Sequence, residues 1–239
     1  MIKIACWSGP RNISTALMRS WSSRPDTVVI DEPFYAYYLK ETKLKHPLAD
    51  EIIKSYPTNF NEILENISSK ALNHRPIFYQ KHMAHHLVNI KNFDFVDRFE
   101  NCILIRDPKK VIASYTLKNN LLNAKELGYH QQNEIINYLT QKKRKIIVID
   151  AQSLLENPEK ILNKWCDKIN ISFNRKMLKW KKGIYDSDGL WANYWYNSVA
   201  NTTSFDNKIS KNPIIDKKYI KIYDECMFFY DKMLNMSID

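Results

Sequence analysis

Apolar and polar positions follow two patterns along this chain. Five short continuous apolar runs lie at Ile2 to Trp7, Thr27 to Asp31, Ile77 to Lys81, Cys102 to Arg106 and Ile146 to Asp150. Runs of this length suit strands buried on both faces of a sheet. Between them apolar residues recur at helical spacing: Ile13, Ala16, Leu17 and Trp21, then Ile63, Leu64, Ile67 and Leu72, then Ile135, Ile136 and Leu139, then Ile161, Leu162 and Trp165. Alternating strand and helix predict a doubly wound α/β domain around a five-stranded parallel sheet. Ligands of such sheets bind beyond the carboxyl ends of the strands, where Gly9, Arg11, Glu32, Lys81, His82 and Arg106 all fall. Past about residue 170 the strand signal stops. A segment dense in Trp and Tyr leads to an amphipathic helix from Tyr219 to Met236, so residues 1–170 read as core and 171–239 as a helical cap of the same domain. Polar, proline-bearing stretches at Lys40 to Pro57 and Thr202 to Pro213 read as flexible.

The first turn carries the strongest chemical signal. The run Ser8-Gly9-Pro10-Arg11-Asn12-Ile13-Ser14-Thr15 leaves a strand and enters a helix. The first amides of that helix lack intrahelical partners, and its dipole makes the spot positive, so an anion belongs there. The spacing is close to a Walker A loop, but the Gly-Lys pair is absent and the cation is Arg11. A second strand end reads Arg106-Asp107-Pro108, with Ser114 two helical turns from Asp107 and so on the face nearest the strand end. Asp107 suits the N-cap and Pro108 the first helical position.

The loop Ser-Gly-Pro-Arg followed by Ser-Thr resembles the 5′-phosphosulfate loop of sulfotransferases that use 3′-phosphoadenosine-5′-phosphosulfate (PAPS). The stretch from Arg106 to Ser114 resembles their 3′-phosphate motif, and Ile146 to Pro158 their late strand and leucine-rich helix. Asp31 to Ala36 and Gly189 to Ala192 are similar to motifs of a small bacterial subgroup often labelled aminotransferase-associated. The resemblance implies a P-loop-type fold and PAPS as co-substrate without a metal. It also implies sulfuryl transfer to a small hydroxyl- or amine-bearing acceptor. Lys182 and Gly183 resemble loosely a C-terminal Lys-Gly loop that touches the 3′-phosphate.

Proton removal from the acceptor needs a base. The family places a catalytic His after the third strand, near a Lys, and here Lys81 and His82 stand adjacent rather than one residue apart. His82 is the first candidate, with His85 and His86 able to take the role or to line the acceptor site. Glu32, after the second strand, is the rival base; Asp31 or Glu32 could equally cap the helix that Pro33 begins. The aromatic group Trp191, Tyr194, Trp195, Tyr196 and Phe205 supplies a candidate acceptor wall, with Trp191 and Trp195 foremost; stripes of this kind also form core.

Composition refines this picture only modestly. The 239 residues are 44% apolar with four glycines, and the formal net charge is +10. The lysines spread along the whole chain without an aromatic-basic recognition motif, so no nucleic-acid partner is expected. Four scattered cysteines, Cys6, Cys102, Cys166 and Cys226, imply core thiols rather than a disulfide framework or zinc site. No apolar run approaches membrane-spanning length, and a cytoplasmic location is expected. Two other classes stay open: a P-loop small-molecule kinase with Asp107 holding magnesium, and a non-catalytic nucleotide- or RNA-binding module.

Overall fold

A computed structural model describes residues 1–69, 75–205 and 213–238. Its strands are β1 (Ile2–Ser8), β2 (Thr27–Asp31), β3 (Ile77–Met83), β4 (Glu100–Ile105) and β5 (Ile147–Asp150). The helices are α1 (Ser14–Ser22), α2 (Tyr35–Thr42), α3 (Ala49–Ser55), α4 (Phe60–Ser69), α5 (Pro108–Tyr115), α6 (Tyr129–Gln141), α7 (Ala151–Glu156), α8 (Pro158–Lys168), α9 (Ala192–Trp195) and α10 (Ile220–Leu234). The strands form one sheet in the order β2-β3-β1-β4-β5, parallel at every pairing. This is the P-loop-type α/β arrangement that the hydrophobic pattern and the motifs predict.

Strand parity assigns the two faces. Ile4 and Cys6 of β1 join Tyr79, Leu104 and Ile149 in the layer under α1 and α8. Ala5 and Trp7 point the other way, into a core with Ile103, Val148 and residues of α4, α5, α6 and α10. Successive side chains of a strand face opposite sides, so Lys81 and His82, neighbours at the end of β3, cannot share a site. His82 lies with Trp7, its ring stacked at 4.2 Å, and its Nε2 sits 3.1 Å from Gln80 Oε1.

One feature departs from the sequence reading. The stretch from Lys40 to Pro57 is built into the fold: α3 buries Ile52 in a third cluster with Leu39 of α2 and Trp191. Its apolar positions are too few for a clear helical pattern, yet they suffice once Trp191 packs on them. The final helix, α10, lies against the sheet and α6, with Cys226, Tyr230 and Met233 buried there. Leu72 and residues 206–212 of the expected flexible segment lie outside the described residues.

Within the expected cap, residues 185–205 cover the strand ends. Asp188 binds buried Arg19 of α1 through both carboxylate oxygens, at 2.6 and 2.5 Å, and the Arg19 guanidinium stacks on Tyr185 at 3.7 Å. Removing one partner of a fully buried pair strands the other charge. Arg19→Ala should therefore cost about 3–5 kcal/mol in urea unfolding, and the Arg19→Met, Asp188→Asn double variant should recover most of it.

Candidate active site

The turn after β1 shows how a short sequence creates an anion site. Arg11 and Ile13 both take left-handed backbone angles, φ 61° and 57°, and α1 starts without any side-chain cap. Alternating handedness turns successive amides inward, and the uncapped helix start adds its own. Gly9 is obligatory for packing: a β-carbon there would sit 2.2 Å from the Leu127 carbonyl oxygen. Asn12 ties the loop to β4 by donating to the Leu104 carbonyl at 3.1 Å.

Pro10, Arg11, Asn12, Ile13, Ser14 and Thr15 all line a cavity of about 440 Å³. Ser8 does not: its hydroxyl is buried and donates to the His82 carbonyl. Gly9 also lies outside the lining and acts through backbone shape. Arg106 and Ser114 reach the same cavity from β4 and α5. The two motifs interlock, with Arg11 Nε donating to Ser114 Oγ at 2.9 Å and Arg106 Nη1 donating to the Arg11 carbonyl at 2.7 Å. Ser114 is thus partnered by Arg11 rather than by Arg106. Neither guanidinium has an ion pair among the described residues, and burial lowers the pKa of both. Two such cations at an uncapped helix start fit a polyphosphate-like ligand. Asp107 caps α5, accepting from the Lys109 amide at 2.7 Å.

The opposite side of the cavity comes from β2 and β3. Glu32 follows β2 with φ 41°, a left-handed turn that aims its carboxylate inward. Lys81 is fully buried and gives its three protons to Asp31 Oδ1 at 2.9 Å, Tyr196 OH at 2.7 Å and Glu32 Oε1. An ammonium has three donors, so none is left for a ligand. Lys81 accordingly does not line the cavity. Tyr196 OH also donates to Asp31 Oδ2 at 2.6 Å and accepts from Trp191 Nε1 at 3.1 Å. Burial raises the pKa of Glu32, opposed by Lys81 and reinforced by Asp31. Its second oxygen, Oε2, makes no hydrogen bond among the described residues and lies 3.9 Å from His86 Nε2.

Of the remaining candidates, His85, His86 and Trp195 line the cavity, while His82, Trp191, Lys182 and Gly183 do not. His82 faces the opposite core, as strand parity requires. Trp191 is turned inward, its indole donating to Asp31 Oδ2 at 3.1 Å. Lys182 is exposed, and Gly183 donates its amide to the Ala200 carbonyl at 2.8 Å. Burial drives the pKa of His85 down to about 3, and that of His86 falls for the same reason. Both rings keep an unpartnered, buried Nδ1.

A family model described as Sulfotransferase domain matches residues 2–237. The chain belongs to that sulfotransferase family. It is similar to the branched-chain-amino-acid aminotransferase-like proteins 1 and 2 of Arabidopsis thaliana, at 36% identity over 204 residues and 29% over 228. Those matches take in 84% and 95% of this sulfotransferase chain but 36% and 40% of the relatives, so it spans less than half their length. The fold is similar to the sulfotransferase domain of the Synechococcus PCC 7002 olefin synthase, with TM-score 0.56 and 15% identity over 94% of each chain. It is also similar to a sulfotransferase from Alicyclobacillus acidocaldarius, with TM-score 0.60 and 8% identity over 100% of this chain and 97% of that one.

Sequence reasoning missed Tyr35, Tyr38 and His46 at the cavity of this sulfotransferase domain. Tyr35 stood inside the motif from Asp31 to Ala36, but His46 had no signal, lying in a polar stretch; its Nδ1 is 2.8 Å from Tyr35 OH.

Burial, then the charge of Lys81, lowers the pKa of His82 to about 3 from an ordinary 6.5. A histidine held neutral stabilises the fold above its unfolded pKa, and that contribution is lost as pH falls toward the folded value. Unfolding midpoints should therefore fall between about pH 6.5 and 3, and His82→Phe should show a shallower slope in the same denaturation series.

Proposed function

We propose that this sulfotransferase domain moves a sulfuryl group from PAPS to a small hydroxyl- or amine-bearing acceptor. The observation that carries this reading is the division of one cavity. Two guanidiniums without carboxylate partners and an uncapped helix start form one wall, and a carboxylate with a free oxygen stands on the other.

PAPS supplies an activated sulfuryl group on a 5′-phosphate and a second phosphate at the 3′ position. Arg11, Ser14, Thr15 and the loop amides would hold the 5′ end; Arg106, with Ser114, would hold the 3′-phosphate. Glu32 is our choice of base. As the acceptor oxygen bonds to sulfur and the bond from sulfur to the 5′-phosphate oxygen breaks, Glu32 Oε2 takes the hydroxyl proton. Arg11 and the start of α1 then meet the charge left on the 5′-phosphate. A carboxylate made more basic by burial is better matched to this task than imidazoles whose proton affinity burial has lowered. Lys81 acts through Glu32, holding Oε1 so that Oε2 faces the acceptor.

Calorimetric titration with adenosine 3′,5′-bisphosphate, AMP and ATP-magnesium tests the donor assignment. The bisphosphate should bind most tightly, and Arg106→Ala should erase roughly tenfold or more of its advantage over AMP. Preference for ATP-magnesium would overturn the reading in favour of a kinase. With an acceptor in hand, Glu32→Gln should lower turnover about 10²–10⁴-fold while leaving bisphosphate affinity unchanged, measured by steady-state kinetics and calorimetry.

A further inference from the structure

The sheet order sorts charge along the cavity. The cations, Arg11 and Arg106, arrive from β1 and β4, whereas the β2 and β3 side brings Glu32, Tyr35, Tyr38, His85 and His86. No lysine or arginine lines that second side among the described residues. The buried ammonium beneath it, Lys81, has all three protons committed. With Asp31 and Glu32 around it, the cluster carries one net negative charge in its ionised form. The neighbouring histidines do not offset that charge: burial keeps His85 and His86 neutral and lowers the proton affinity of His46.

Glu32 Oε2 makes no hydrogen bond among the described residues. Aromatic faces stand nearby: His86 stacks between Tyr35 and Tyr38 at 4.9 and 4.7 Å, and Trp195 lies beside His46 at 6.2 Å. A cluster with one net negative charge beside aromatic side chains is the environment a substituted ammonium group prefers.

Resting on the sulfuryl-transfer reading above, we propose that the acceptor is a hydroxyl compound carrying an ammonium group, and that acceptors bearing a carboxylate, phosphate or sulfate are rejected at this side of the cavity. The hydroxyl is the group sulfated, because a protonated amine has no lone pair to attack sulfur. An anion entering here would lie beside Glu32 with no cation to pair it, and like charges placed together in a site of low water content are strongly disfavoured.

The test is binding to the protein saturated with adenosine 3′,5′-bisphosphate, followed by calorimetry with three probes matched in ring and chain: tyramine, para-ethylphenol and para-hydroxyphenylpropionate. Tyramine should bind best and the propionate at least about tenfold more weakly. Placing a cation in the wall with His46→Lys should narrow or reverse that order. Equal binding of tyramine and the propionate, an unchanged ranking in His46→Lys, or no binding of any probe while the bisphosphate remains bound would each overturn the proposal and leave the donor assignment standing. Failure of the bisphosphate itself to bind would remove the donor assignment, and this proposal with it.

Discussion

The β2 and β3 side of the cavity depends on one buried ammonium. Lys81 lies at the end of β3 with no access to water, and it is tolerable there only because two carboxylates and a phenol accept all three of its protons. The converse also holds: Asp31 and Glu32, adjacent in sequence and both buried, could not be ionised together without it. The cluster fixes the end of β2 against the end of β3 and brings Tyr196 of the C-terminal segment onto both. It also sets which oxygen of Glu32 is free.

A division of labour between structural and chemical groups follows. The anion-binding wall is made mostly of backbone: amides turned inward by Arg11 and Ile13, at a helix start that lacks a capping side chain. The other wall is made of side chains whose protonation states burial controls. Glu32 gains proton affinity and the histidines lose it, so one desolvated chamber holds a carboxylate that can accept a proton beside imidazoles whose charging burial disfavours. The polarity of the cavity thus runs with strand order, from cationic at the sheet centre to anionic toward the β2 edge.

The five strands, their parallel arrangement and the loop after β1 were legible because buried strands leave continuous apolar runs and tight turns spend glycine. The N-cap at Asp107 was legible for the same local reasons. What could not be read was side-chain direction at the strand end. Lys81 and His82 look like a paired motif in the sequence, yet one residue of pleat sends them to opposite cores. Trp191 and Tyr196 illustrate a second limit: an aromatic segment announces packing, but not that an indole and a phenol will close a polar network with Asp31. His46 shows a third, since helical propensity and periodicity carry no information about a polar segment whose order comes from what packs on it.

Tyr196 meets Lys81 across 115 residues of chain, Trp191 meets Asp31 across 160, and Asp188 meets Arg19 across 169. During synthesis, the sheet strands emerge well before these partners do. Until Tyr196 has left the ribosome, the nascent domain holds the loop after β1 while Lys81 and its two carboxylates lack their phenolic partner. The wall from β1 and β4 can be complete early, but the chamber on the β2 side closes only once Trp191 and Tyr196 have emerged, so every shorter intermediate of the growing chain lacks one side of its cavity.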